Sequence, residues 1–276
     1  MNTAPHLLRI LAGTLLLTII KVLVDSVLGS PTDWSSSGWL LLSNFTVVLA
    51  LSYPVLHSSS KGIRLALAVF LLYFGVSYFN TFIEGVFFQL DIRPDEVVRL
   101  VVSGLLVALL FSPLFVMLLG RMSVPGSGHR TAYVERSRTG WIWRIAAADC
   151  TYFVLYIIAG MIVFPYVKQF YATKALPGMT QIFLMQVFRG LVFLGVSLPL
   201  MRAMTTPTLH KALSIGLAFS VLGGISLLIL PNPYMPENIR MAHLVEVGIS
   251  NFIFGVLAVF LLDQKTRPAS AEGNAV

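Results

Sequence analysis

The feature that most constrains this chain is a series of long apolar segments separated by short polar connections. Each segment has about 20 mainly apolar residues, which is the length a helix needs to cross a bilayer core of about 30 Å. Hydrocarbon offers no partner for a free backbone N–H or C=O group, so such segments must be helical. The sequence predicts eight of them, approximately at residues 7–29, 39–57, 64–90, 97–120, 141–165, 180–203, 211–231 and 241–263.

Composition supports a membrane protein rather than a soluble one. Of the 276 residues, 57% are hydrophobic and 11% are charged, against about 25% charged in an average soluble domain. A soluble core of this size would need a polar surface that these residues cannot supply. The connections are too short for a separate soluble domain. We therefore expect an all-α, polytopic transmembrane helix bundle in which residues 1–276 form a single integral membrane domain.

The distribution of Lys and Arg predicts the orientation, because short cytoplasmic loops are enriched in them. The side that holds the N-terminus carries Arg9, Lys61, Arg64, Arg121, Arg130, Arg136, Arg138, Arg144, Arg202, Lys211, Lys265 and Arg267. The other side carries Arg93, Arg99, Lys168, Lys174 and Arg240. We expect both termini, a loop at about 121–140 and a tail at about 264–276 to be cytoplasmic, in a bacterial cytoplasmic membrane.

The net charge of +7 does not indicate a nucleic-acid partner. Nucleic-acid-binding proteins gather their basic residues on one face or in one block. Here the basic residues are spread between apolar segments, where they act as topology signals. The lipid bilayer is the partner that the sequence predicts, and the oligomeric state is left open.

Ionisable residues within the apolar segments are the candidates for function, because each costs a few kcal/mol at membrane depth unless it faces a cavity or a partner. Each lies about one helical turn from another polar residue, which gives the pairs Lys21 with Asp25, Asn80 with Glu84, Gln186 with Arg189, and His243 with Glu246. Alternate segments run in opposite directions, so all four pairs fall in the extracytoplasmic half. This placement predicts a polar pocket lined by segments 1, 3, 6 and 8.

The residue types suggest acid–base chemistry with substrate binding. Histidine titrates near neutral pH, and a carboxylate can exchange protons with it, so Glu84, His243 and Glu246 are the candidate catalytic residues. Cations stabilise negative charge on a substrate, which suggests that Arg189 and Lys21 bind an anionic group. The remaining candidates for substrate binding are Asp25, Asn80 and Gln186.

A metal site is a weaker hypothesis. His243 and Glu246 lie one turn apart and Glu84 is a possible third ligand. However, the sequence has no H-E-x-x-H motif and no second histidine deep in an apolar segment. The single cysteine, Cys150, excludes a cysteine metal cluster and an intramolecular disulfide framework. We expect neither a metal nor a cofactor.

The buried charges also have a purely structural interpretation, in which they pair to fix helix packing. Lys21 would pair with Asp25, and Arg189 with Glu84 or Glu246. Buried ion pairs are rarely more stable than well-packed apolar replacements, so their presence favours a further role. The sequence does not exclude that this role is helix register.

Three classes of function remain open. The first is a protein that binds a polar or anionic small molecule or a lipid headgroup, as in a small transporter. The second is a membrane-embedded enzyme that acts on a lipid or lipid-linked substrate by Glu/His acid–base chemistry. The third is a non-catalytic assembly partner. Asp149 stands apart in the inner half of segment 5, where it is a gate element or a partner of Arg144 or of nearby tyrosines.

Overall fold

A computed structural model describes residues 4–29, 34–87, 94–122, 136–172, 174, 176–232 and 235–264. Within these residues, eight helices are long and apolar enough to cross a membrane, which confirms the all-α multi-pass fold. They are α1 Ala4–Val27, α2 Ser37–Leu56, α3 at 62–87, α4 Pro94–Leu118, α5 Arg138–Tyr171, α6 Met179–Ala203, α7 Thr208–Leu228 and α8 Glu237–Leu262. Most of the predicted loop at 121–140 and nearly all of the predicted tail at 264–276 lie outside the described residues.

Helix α5 differs most from its predicted bounds. The apolar pattern predicts an end at residue 165, but the helix continues through Pro165 to Tyr171. Proline removes one backbone donor and favours a kink, yet membrane helices tolerate it where neighbouring groups satisfy the freed carbonyl. At 34 residues, α5 is longer than the roughly 20 residues needed to cross the hydrocarbon core. Its last turns therefore add residues to the bundle that the apolar pattern did not include.

The packing of the helices places α1 and α5 on different sides of the bundle. Helix α1 packs against α2 and α4, whereas α5 packs against α6 and α8. Helices α3 and α7 lie between these groups, since α3 contacts α4 and α6, and α7 contacts α2 and α8. Residues that share a depth on α1 and α5 are consequently separated by the central helices.

Arginines hold the bundle together at one end, where α1 begins and α8 ends; we call it the basic end. Arg136 donates to the carbonyl oxygens of Leu262 at 3.1 Å and Asp263 at 2.8 Å. Arg144 donates to the carbonyl of Leu261 at 3.0 Å. The last carbonyls of a helix have no partner within it, so these guanidinium groups satisfy the end of α8.

An aromatic cluster fills the core between α5, α6, α7 and α8. The rings of Tyr152 and Phe254 lie 4.9 Å apart, and those of Phe193 and Phe219 are equally close. All four side chains are buried. Aromatic side chains bury large apolar areas and fix their neighbours through ring geometry, so this cluster gives the helices around it a defined arrangement.

Two of the described helices contain π-helical segments. Residues Phe74–Phe79 interrupt α3, and residues Val221–Ile225 interrupt α7. The two segments contact each other across the bundle. A π-helical turn accommodates one extra residue, and such turns occur frequently at functional sites. The first of these segments is followed directly by Asn80 in the chain.

Glycines allow α7 and α8 to approach closely. A Cβ atom on Gly255 would lie 2.7 Å from Cα of Gly216 and 3.0 Å from the carbonyl oxygen of Ile215. Close by, the Ser220 hydroxyl donates to the Gly248 carbonyl at 2.6 Å. In a bilayer, where lipid is as apolar as the side chains, such close backbone packing is a main source of helix association.

We expect Gly255→Ala to destabilise the bundle, because the added methyl group meets the backbone of α7 rather than a movable side chain. Overpacking of this kind costs about 1–3 kcal/mol. The measurement is the thermal unfolding midpoint of the purified protein in detergent. Gly195→Ala is the control, since nothing lies within 4 Å of a Cβ at that exposed glycine of α6. Equal midpoints for both variants would contradict this account of the α7–α8 contact.

Candidate functional site

A cavity of about 730 Å³ lies in the half of the bundle away from the basic end. Helix α5 forms one wall, and α3, α6, α7 and α8 contribute the remaining lining. Most of the lining is apolar, including Leu155 and Phe164 of α5 and Leu227 of α7. Polar groups are concentrated at a few positions on α3, α5, α6 and α8, which gives the cavity an amphipathic interior.

The first polar group of the cavity is an ion pair between α3 and α6. Arg189 Nη2 donates to Glu84 Oε2 at 2.9 Å, and Arg189 Nη1 donates to Gln186 Oε1 at 3.4 Å. The Arg189 side chain is 6% exposed, whereas 39% of the Glu84 side chain is exposed, and Glu84 lines the cavity. A guanidinium this deeply buried requires a counter-ion, so the position of Glu84 is important for the whole interface.

The second polar group is a hydrogen-bonded chain of three side chains. His243 Nδ1 lies 2.7 Å from Glu246 Oε2, and the Tyr171 hydroxyl lies 3.0 Å from His243 Nε2. If the Nδ1 hydrogen is donated to the Glu246 carboxylate, Nε2 of a neutral imidazole accepts the hydrogen of Tyr171. The carboxylate thus orients the ring, and the arrangement can pass a proton between the tyrosine hydroxyl and the carboxylate.

Asn80 and Gln186 lie next to the ion pair but are absent from the cavity lining. Asn80 is one helical turn before Glu84 on α3, and Gln186 is one turn before Arg189 on α6. Both side chains are almost fully buried, at 1% and 0% exposure. They belong to the interior behind the cavity wall rather than to the surface that a ligand would contact first.

The structure corrects the predicted place of Lys21 and Asp25. They line no part of the cavity, because α1 packs against α2 and α4, away from α6 and α8. Asp25 instead accepts a hydrogen bond of 2.6 Å from Ser103 of α4. Helix α5 occupies the position that the sequence assigned to α1. The sequence indicates the depth of a residue in the membrane, but depth alone does not identify neighbouring helices.

Sequence reasoning missed the contribution of α5. Tyr171 bonds to His243, and Tyr156 lines the cavity and interacts with Glu84, Arg189 and Gln186. Tyr171 was outside the predicted segment, which ended at residue 165. Its spacing of four residues from the buried Val167 is the signal that the helical face continues past Pro165.

The sequence suggested that Asp149 stands apart from the other polar residues, but the structure places it against α6. A methyl group on Gly190 would overlap its Oδ1 atom, so the carboxylate packs against α6 at the residue that follows Arg189. Tyr152, one turn further along α5, interacts with Asp149, Arg189 and Glu84. Arg144 is not its partner, because it donates to the end of α8. Asp149 therefore lies directly behind the candidate site.

Comparison with known protein families, with curated proteins and with solved structures finds no significant match. The chemistry of the site is therefore argued from its own side chains. The lining contains the carboxylates of Glu84 and Glu246, the guanidinium of Arg189 and the imidazole of His243. Among the described residues, no three His, Cys, Asp or Glu side chains are grouped so as to hold a metal ion. What the arrangement can do is bind a polar group and transfer protons.

We expect Glu84→Gln to destabilise the protein more than Arg189→Gln does. The first change leaves a buried guanidinium without a counter-ion, at a cost of about 2 kcal/mol or more. The second change leaves a carboxylate that is partly exposed to the cavity and is therefore solvated more easily. Thermal unfolding in detergent would measure both, and the double variant should lose less than the sum of the single losses. A larger loss for Arg189→Gln would show that the ion pair is not organised in this way.

Proposed function

We propose that this protein binds an amphipathic molecule in the cavity and transports it across the membrane. The observation that supports the proposal is the combination of extensive apolar walls with two hydrogen-bonded polar groups inside one cavity of about 730 Å³. An apolar pocket with a few well-placed polar groups is the usual form of a small-molecule site. Within a bilayer, the molecules that match it are lipids and other membrane-soluble amphipaths.

The charges of the cavity favour a ligand whose polar end is uncharged or carries an amine. The described lining contains two carboxylates, Glu84 and Glu246, but one guanidinium, Arg189, and that group is already paired with Glu84. An anionic ligand would have to displace Glu84 from a buried ion pair, which is costly. Lys21, the other cation expected from the sequence, lines no part of the cavity. We therefore do not propose an anionic ligand, which was one of the ligand classes that the sequence suggested.

The construction of the cavity walls supports transport over simple binding. The π-helical segments of α3 and α7 contact each other, and the segment of α7 contributes Gly223 and Gly224 to the lining. A change between π and α geometry rotates the residues that follow, so such segments can act as hinges. In the most apolar 18-residue stretch of each helix, α5 has the smallest fraction of buried residues among the eight helices, 11%. Few contacts resist its movement relative to α3 and α7.

Filling the cavity should abolish ligand binding without disturbing the fold. Gly160 lines the cavity on α5, and the one atom within 4 Å of a Cβ added there is Glu246 Oε1, at 3.9 Å. We expect Gly160→Leu to reduce the amount of copurified amphipath, measured by native mass spectrometry from a mild detergent, by about tenfold or more. Gly195→Leu places the same side chain on an open surface of α6 and should retain the ligand.

Equal amounts of ligand in Gly160→Leu and in the unaltered protein would contradict the assignment of the cavity as the binding site. Absence of any bound amphipath in the unaltered protein would contradict the proposed function itself. Thermal unfolding of both leucine variants would verify that they are folded. The two variants exchange the same pair of residue types, so a difference between them reports the position and not the substitution.

The hydrogen-bonded chain of Tyr171, His243 and Glu246 favours a second candidate, an acid–base enzyme that acts on the same class of molecule. A carboxylate that orients a histidine towards a hydroxyl is a common way to activate that hydroxyl or to transfer its proton. The enzyme and the transporter differ in one respect. The enzyme changes the covalent structure of the molecule, and the transporter does not.

Incubation of the purified protein with its extracted ligand separates these candidates. Under the transport proposal, mass spectrometry should recover the ligand with its mass unchanged, from the unaltered protein and from Tyr171→Phe alike. Recovery of a product from the unaltered protein, with unchanged substrate bound to Tyr171→Phe, would establish the enzyme instead. The Phe variant keeps the ring and removes the hydroxyl, so the contact of the ring with Phe170 and with the cavity is preserved.

A further inference from the structure

Behind the cavity, several buried polar atoms have no hydrogen-bond partner within the protein. They are Ser77 Oγ, Asn80 Oδ1 and Nδ2, Asp149 Oδ1 and Arg189 Nε. Each of these residues is less than one-tenth exposed. An unpaired buried polar atom costs about 1–3 kcal/mol, and native proteins contain few of them. Their concentration on three helices of one site requires an explanation.

The unpartnered atoms belong to one connected region, which we call the polar seam. On α3, Asn80 is one turn from Glu84 and Ser77 is one turn further from the cavity. Glu84 bonds to Arg189, and Arg189 bonds to Gln186. These contacts place the α3 and α6 members of the seam beside the ion pair.

Asp149 belongs to the same region through α6 and through Tyr152. Its Oδ1 atom and the Tyr152 ring both pack against Gly190, the residue that follows Arg189 on α6. Tyr152 also lines the cavity. A short route therefore leads from the cavity, past the ion pair and Tyr152, to the carboxylate.

The chemistry of the seam matches water better than a metal cation. Its unpartnered atoms include donors, such as Asn80 Nδ2, as well as acceptors, such as Asp149 Oδ1. Water satisfies donors and acceptors together, whereas a cation satisfies acceptors alone. The positive charge of Arg189 beside the seam opposes a second cation.

We propose that the polar seam holds water and that Asp149 is a proton-binding site reached from the cavity through this water. In the release step, the O–H bond of the Asp149 carboxylic acid breaks. The proton passes to a seam water and on to the cavity, and the carboxylate remains behind. Uptake is the reverse. Movement of the proton together with the ligand rests on the proposed function. The proton-binding site itself does not require a ligand.

The groups that face Asp149 are consistent with a site that exchanges protons. Helix α6 presents Arg189, which is occupied by Glu84 of α3. On α5, Tyr152 packs beside Asp149 at Gly190, the exposed Cys150 carries no positive charge, and Arg144 is bonded to the end of α8. Helix α8 has no ionisable residue between Glu246 and its end at Leu262. No described cation is therefore available to Asp149 as a permanent partner, and the ionised form is costly in this setting.

Infrared spectroscopy of the purified protein tests the inference without any ligand. The C=O stretch of a protonated carboxyl group should be present at neutral pH, should disappear in Asp149→Asn, and should shift after transfer into D₂O. Asp25→Asn is the control, because Asp25 is a carboxylate at another polar contact of the bundle. A band that survives Asp149→Asn, or that fails to shift in D₂O, would overturn the inference. Loss of the band on addition of sodium chloride would also overturn it, because the site would then hold a cation rather than a proton.

A second variant keeps the inference testable if Asp149→Asn does not fold. Asn80→Leu preserves the approximate size of the side chain and removes two unpartnered atoms that would hold seam water. We expect it to slow the deuterium shift of the carboxyl band by about tenfold, the effect of losing one hydrogen bond of about 1.4 kcal/mol. An unchanged rate would overturn the water route. The carboxyl band does not depend on whether a ligand binds in the cavity. A negative result in the Gly160→Leu experiment would therefore contradict the proposed function without contradicting the proton-binding site.

Discussion

The absence of water in the hydrocarbon core is the constraint on which the rest of this structure depends. Every backbone group in the core must be paired within the protein, which forces the eight segments into helices. The same constraint applies to side chains, and it makes each buried charge depend on a particular partner. Arg189 is the clearest example, because its guanidinium is almost fully buried and is neutralised by Glu84 from another helix. The ion pair thereby ties the end of α3 to the middle of α6.

The pair also organises the space around it. Glu84 and Arg189 both line the cavity, whereas Gln186 lies behind its wall and bonds to the Arg189 guanidinium. The second polar group, formed by Tyr171, His243 and Glu246, belongs to α5 and α8. Between these polar groups the walls are apolar. A molecule that fills this space must be apolar over most of its surface and polar at a few points, which is the physical basis for the ligand class proposed here.

The π-helical segments that would change conformation and the residues proposed to exchange protons lie in the same region of the molecule. The π-helical segments of α3 and α7 contact each other, and α3 carries Asn80 directly after its segment. Residues of the polar seam therefore follow a position where the helix can change its register. A movement there would alter the surroundings of Glu84 and, through Tyr152, those of Asp149. Coupling between ligand and proton would then need no long-range route.

The sequence by itself determined the class of fold and the number of apolar helices long enough to span a membrane, and it singled out Glu84, Arg189, His243 and Glu246 as polar residues within them. These properties follow from local hydrophobicity and helical periodicity, which are readable along a single chain. Tertiary structure decided which helices adjoin: it left Lys21 and Asp25 outside the cavity lining, brought Tyr171 to His243 and placed Asp149 against α6 behind the cavity. The physical reason is that any two apolar helix faces can pack together in lipid. The choice among them depends on close contacts, such as Gly216 against Gly255, that arise only when all helices are assembled.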